Sequence, residues 1–150
     1  MNKQISIEYL QLLSRQIRKK IPYIKMLVLF GSRARGDIHY KSDWDFAVFY
    51  DEKKRKKYSK TKSFSYFEVS SILEDLFEIN DSIDVVDLNN CSARIADRVA
   101  TDGILLYEIE EGLFNNFQEK SLLSDEQKKA MRLDFKQEID DFLKDWGLIA

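Results

Sequence analysis

Asp43 and Asp45 stand two apart at the head of an alternating segment that runs to Tyr50, and ten residues upstream of them lies the pair Gly31-Ser32. Residues i and i+2 of a strand project from the same face, so both carboxylates can reach the same ions. Trp44, Phe46, Val48 and Tyr50 would then share the opposite face and pack on a core. Two carboxylates this close repel at low dielectric, and one is normally forced to keep a proton. A divalent cation removes that conflict and also neutralises the phosphates of a bound triphosphate. Glycine lets the backbone approach a ligand, amides at a turn or helix start act as anion donors, and a serine hydroxyl adds one more donor. A phosphate cradle beside an acidic metal site is the equipment that nucleotidyl transfer requires.

A third carboxylate usually completes such a site, and Asp84 and Asp87 are both on offer in the strand expected over 82 to 88. Alternation separates them. Asp84 faces away from Ile83 and Val85, which read as core-facing, whereas Asp87 falls on their side; Asp84 is the better choice. The chain has one Cys and one His, so the plentiful ligands are carboxylates, and oxygen donors suit a hard ion such as Mg2+. The single cysteine, Cys91, excludes an internal disulfide and a multi-cysteine zinc site.

Stepping outward, 150 residues suffice for one domain with a real core, and a net charge of −2 gives no global attraction to nucleic acid or anionic membrane. No apolar run reaches the length of a membrane span and no signal-peptide core opens the chain, so a cytoplasmic protein is expected. Leu10, Leu13, Ile17 and Ile21 predict a helix over about 6 to 20, ended by Pro22. Ile24 to Phe30 is too short and too apolar for a surface helix and predicts a buried strand leading into Gly31. Val69, Ile72, Leu73, Leu76 and Ile79 predict a helix over about 64 to 79. Ser92 and Gly103 bracket another helix, and Ile104 to Tyr107 reads as an edge strand. From Glu110 the pattern is helical in two pieces, with Ser124 to Gln127 as a capping box opening the last. The expected fold is α/β (α+β): a small mixed sheet flanked by helices, core about 5–107, with a C-terminal helical extension over about 110–146.

The residues of this constellation resemble the signature of the DNA-polymerase-β-like nucleotidyltransferase superfamily. Gly31-Ser32, ten residues, then Asp43-x-Asp45 fits its first motif, and Ile83-Asp84-Val85 its third-carboxylate motif. The fuller strings, Gly31 to Asp37, Ser42 to Val48, Asp84 to Leu88 and Asp102 to Tyr107, are similar to its minimal (MNT) branch. The resemblance implies that Gly31 and Ser32 bind the triphosphate of ATP, together with Asp43 and Asp45. Asp43, Asp45 and Asp84 would hold a pair of Mg2+ ions, and Asp84 would act as, or assist, the base. It also implies a partner: members of this size often serve as antitoxins that transfer AMP to a tyrosine of a HEPN-domain ribonuclease toxin, in a hetero-oligomer. A small-molecule nucleotidyltransferase acting on an aminoglycoside-like acceptor and an antitoxin that works by binding alone are the alternatives.

Several features have plainer readings. Arg33 and Arg35 either touch phosphate or partner, or form a surface salt bridge to Asp37. The seven basic residues between Lys53 and Lys62 read as a flexible solvated loop, or else as a steering or contact patch. Arg33 and His39 match a ribonuclease spacing only by coincidence, and His39 reads as a loop residue. Phe135, Phe142 and Trp146 of the last helix are most simply core, with a docking surface as the other reading.

Overall fold

The computed structural model describes residues 5–38, 42–61 and 68–149, with no account of the side chains at 59–61 and 68. The predicted first helix is present but broken: α1 spans Ile7–Leu13, a 3-10 turn Ser14–Gln16, and α2 Ile17–Lys20. The break has a local cause. The buried Ser14 hydroxyl donates to the Leu10 carbonyl at 2.6 Å, a back-bond that competes with the regular helical ladder. Ser6 caps the start by accepting from the Tyr9 amide, and Leu10, Ile17 and Ile21 are turned fully inward.

Strand β1, Ile24–Phe30, coincides with its predicted bounds. It lies between β2, Trp44–Tyr50, and β4, Ile104–Glu108, antiparallel to both, while β3, Ile83–Asp87, runs parallel to β2 at the other edge. The sheet order is β3-β2-β1-β4. Between β1 and β2 sits one turn of helix, α3, Ser32–Arg35; between β2 and β3 come α4, Glu52–Thr61, and α5, Glu68–Phe77. A parallel pair needs such a crossover. Helix α6, Ala93–Asp102, precedes β4, and α7, Leu113–Ser121, and α8, Asp125–Asp145, follow it.

The sheet is covered on both faces. On one, Trp44, Phe46, Val48 and Tyr50 pack with Leu10, Ile17 and Ile21 of the N-terminal segment and Leu73 and Phe77 of α5. On the other, Met26, Val28, Phe30 and Ala47 meet Val99 of α6 and Phe114 of α7. The face carrying Asp45 is therefore a second, smaller core that gives way to carboxylates only at one end, not an open polar surface. Gly103 ends α6 where expected but for a different reason: its φ is −66°, an ordinary value, and a Cβ there would collide with the Val99 carbonyl and stand 2.6 Å from Val28 Cγ1. The glycine is needed for close helix–sheet approach.

Two readings are corrected. The basic run is helix α4 rather than a flexible loop, over the residues described. Lys, Arg and Glu are good helix formers, and Asp51 caps it, its Oδ1 accepting from the Lys53 and Lys54 amides at 3.1 and 3.2 Å. Arg55 turns inward, stacking over Tyr50 at 4.1 Å and pairing with Asp87 at 3.3 Å. The aromatic residues of α8 are not core: Phe135, Phe142 and Trp146 are 55%, 56% and 70% exposed, and the helix buries no residue. The Ser124 capping box that opens it is present as predicted.

Candidate active site

Strand pairing brings the three aspartates to one end of the sheet. Asp45 sits opposite Phe30, the last residue of β1, and directly beside Asp84 in the parallel β2–β3 register. Asp43 precedes β2 and is exposed; Asp45 is half-buried, and Asp84 is exposed. The choice between the two acids of β3 gains a reason that alternation did not supply. Asp87 is occupied, accepting from the Asn89 amide at 2.8 Å and from Arg55, whereas Asp84 faces Asp45.

Gly31 joins the turn to the carboxylates. Its φ of 80° and ψ of −160° lie in a region that only glycine adopts without strain. A Cβ at that position would also collide with Asp45 Oδ2. Two separate requirements thus fix glycine here. Ser32 then starts α3, whose first amides have no partner within the helix, and Gly36 at φ 90° ends it.

Burial pushes the Asp45 carboxyl above its usual range, and repulsion from Asp84 and then Asp43 adds to it, against a smaller opposing pull from Arg35 and Arg98. Half-buried negative charge in excess of its cations is the electrostatic setting that a divalent ion relieves, and the donor set is all oxygen. Among the described residues no three carboxylate, histidine or cysteine side chains converge tightly enough to coordinate an ion as they stand. Their oxygen donors fit such an ion in kind, and Asp45 and Asp84 stand side by side in the β2–β3 register.

The arginines divide the work. Arg33 is a strut: its Nε and Nη2 donate to the Ser42 carbonyl at 3.3 and 2.9 Å, its guanidinium lies 4.3 Å over the Trp44 ring, and it pairs with Asp81 at 3.5 Å. It holds the backbone just before Asp43, a third role beside the two weighed from sequence. Arg35 does meet Asp37, at 3.4 Å, but its shorter bond is to Asp102 at 3.0 Å. That bond ties the turn after Gly31 to the last turn of α6. Arg98, on α6 and felt electrostatically by Asp45, escaped the sequence reading altogether. The signal was available, since Arg94, Arg98 and Asp102 recur every fourth residue on a helix already recognised. His39 lies outside the described residues.

A mixed sheet covered on both faces and ending in paired aspartates beside a Gly-Ser turn is the arrangement of the nucleotidyltransferase class. Residues 13–112 match the family model described as polymerase beta, nucleotidyltransferase. The chain is also 46% identical over 144 residues, 95% of its own length and 96% of the other's, to a protein adenylyltransferase MntA of Aphanizomenon flos-aquae (strain 2012/KM1/D3). The chain belongs to the polymerase beta nucleotidyltransferase family. Its fold is similar to that in a toxin–antitoxin crystal structure with AMP-PNP, at TM-score 0.59 and 21% identity, covering 93% of this chain and 99% of that one. It is similar also to a chain in the complex of tri-AMPylated Shewanella oneidensis HEPN toxin with MNT antitoxin, at TM-score 0.53 and 21% identity, covering 89% and 98%. Among the described residues no helix is long and apolar enough to cross a membrane.

Proposed function

We propose that the protein is a protein adenylyltransferase antitoxin, transferring AMP from ATP to a tyrosine hydroxyl of a cognate HEPN-domain ribonuclease. The observation that carries the reading is the in-register pair Asp45–Asp84 beside Gly31. Likeness to an adenylyltransferase along nearly the full length adds the acceptor class. Gly31 and Ser32 receive the triphosphate; Asp43, Asp45 and Asp84 are the catalytic and metal-holding acids. Mg2+ held by these three would neutralise the triphosphate and polarise the attacked phosphorus. The acceptor oxygen bonds to the α-phosphorus, the bond to diphosphate breaks, and the hydroxyl proton passes to Asp84. Arg33, through the Ser42 carbonyl, keeps Asp43 in place.

Incubation of the complex with ATP and Mg2+ should add the mass of AMP to the HEPN partner on tyrosine. Asp43→Asn with Asp45→Asn should lower transfer by about a thousandfold or more while the fold persists. Unmodified partner that is nevertheless silenced by the double variant would point to neutralisation by binding alone.

A further inference from the structure

Asp102 and Gly103 open a stretch, Asp102 to Tyr107, to which the transferase reading gives no part. Gly103 lets the C-terminal end of α6 press onto the sheet, since a Cβ there would collide with the Val99 carbonyl and stand 2.6 Å from Val28 Cγ1 on β1. Asp102, the last residue of α6, is thereby placed against the strand that runs into Gly31. Its side chain is only 22% exposed and, among the described residues, bonds to a single group: the Arg35 guanidinium, Nη1 donating to Oδ2 at 3.0 Å.

Arg35 is the end of α3, an element that cannot hold its own shape. One turn of helix is too short to be self-supporting. No side chain caps its start, and it lies between Gly31 at φ 80° and Gly36 at φ 90°. Its two arginines anchor it from outside. Arg33 fixes the turn to the Ser42 carbonyl, and Arg35 fixes it to α6, 67 residues further along the chain. The longer contact from Arg35 to Asp37, at 3.4 Å, stays within the same exposed segment and gives no registration against the sheet. Arg35 also exerts the larger of the two cationic pulls on Asp45, so its charge is felt at the carboxylate end of the sheet. A half-exposed ion pair contributes little to stability, but it orders a long, rotamer-rich side chain. A guanidinium already held in one orientation loses less entropy when it binds phosphate than a free one does.

We infer that Asp102 is a positioning residue for nucleotide binding: by holding Arg35 it presents the guanidinium, and the turn Ser32–Arg35 with it, to the triphosphate of ATP. This role rests on Gly31 and Ser32 receiving the triphosphate, as proposed above.

Calorimetric titration with ATP and Mg2+, without acceptor, tests the role apart from any transfer. Asp102→Asn should weaken ATP binding by about tenfold. The sign matters, because removing a negative charge near a triphosphate would by itself strengthen binding, so a loss has to act through Arg35. Arg35→Gln should weaken binding to a similar extent, and Asp102→Asn added to it should weaken binding no further. The thermal midpoint of Asp102→Asn should move by no more than about 2–4 °C. Unchanged or tighter ATP binding by Asp102→Asn overturns the inference and leaves the transferase reading standing. A larger fall in midpoint, or a full further loss of binding in the Arg35→Gln background, marks a structural role independent of Arg35 and overturns it equally. Native protein that binds no ATP overturns the transferase reading, and the role of Asp102 falls with it.

Discussion

Strand β1 and helix α8 are both strongly apolar on at least one face, and they end in opposite surroundings. Leu27, Val28 and Leu29 of β1 are wholly removed from water, flanked by β2 and β4 and covered from both sides of the sheet. On α8, Phe135, Ile139, Phe142 and Trp146 remain exposed. Their spacing alternates four, three, four, the narrow seam of a helix that packs on another helix. Helix α8 forms from its own capping box and propensity, whereas β1 exists only because the rest of the chain surrounds it. Periodicity thus announces that a face wants covering without saying whether the same chain supplies the cover.

The contrast can be broken by measurement, and the largest expected effect lies in the sheet. Phe46→Ala, at a fully buried ring 5.4 Å from Phe77, should cost about 3–5 kcal/mol in a denaturation titration. Gly31→Ala should cost about 1–3 kcal/mol from its φ alone and should also displace Asp45, so transfer activity falls further than stability does. Asp45→Asn sharpens the comparison by reversing the sign. The folded-state pKa of Asp45 is raised, so the folded protein holds this proton more tightly than the unfolded chain. The ionised form then costs stability as pH rises through the raised pKa, and the penalty is absent below the unfolded value. Asn should therefore stabilise at pH 7 by up to about 1 kcal/mol, a group still partly in water being discounted, and should give no gain at pH 3. Phe142→Ala should change stability by no more than about 0.5 kcal/mol. A cost near that of Phe46→Ala would mean that α8 is part of the folded body after all.

Much of the frame was legible because strand alternation and apolar runs report burial directly. The bounds of β1, the buried set on β2 and the carboxylate side of β3 all follow from it. Helix α4 was not legible by the same means. A stretch of lysines has no apolar periodicity, and only propensity and the Asp51 cap mark it as helical. The α8 aromatics admit two readings from sequence, core and docking surface, and their exposure rules out the first because apolar residues on a helix do not by themselves say which body covers them. At the site, the residue types and their spacing pointed to Asp43, Asp45 and Asp84. The tie from Arg35 to Asp102 and the approach of Arg98 depend on how α6 lies across the sheet, which no local pattern encodes.

The parallel pairing of β2 with β3 has a consequence for a chain emerging from the ribosome. Gly31, Asp43 and Asp45 are synthesised close together, and β1 and β2 can form a hairpin-like pair at once. Asp84 arrives only after α4 and α5, on a strand that pairs with the edge of β2 left open by the β1–β2 pair. A nascent or truncated product ending before β3 would carry the Gly31-Ser32 turn and two acids without the third. In the proposed mechanism such fragments lack the proton acceptor, so competence begins only when the crossover closes.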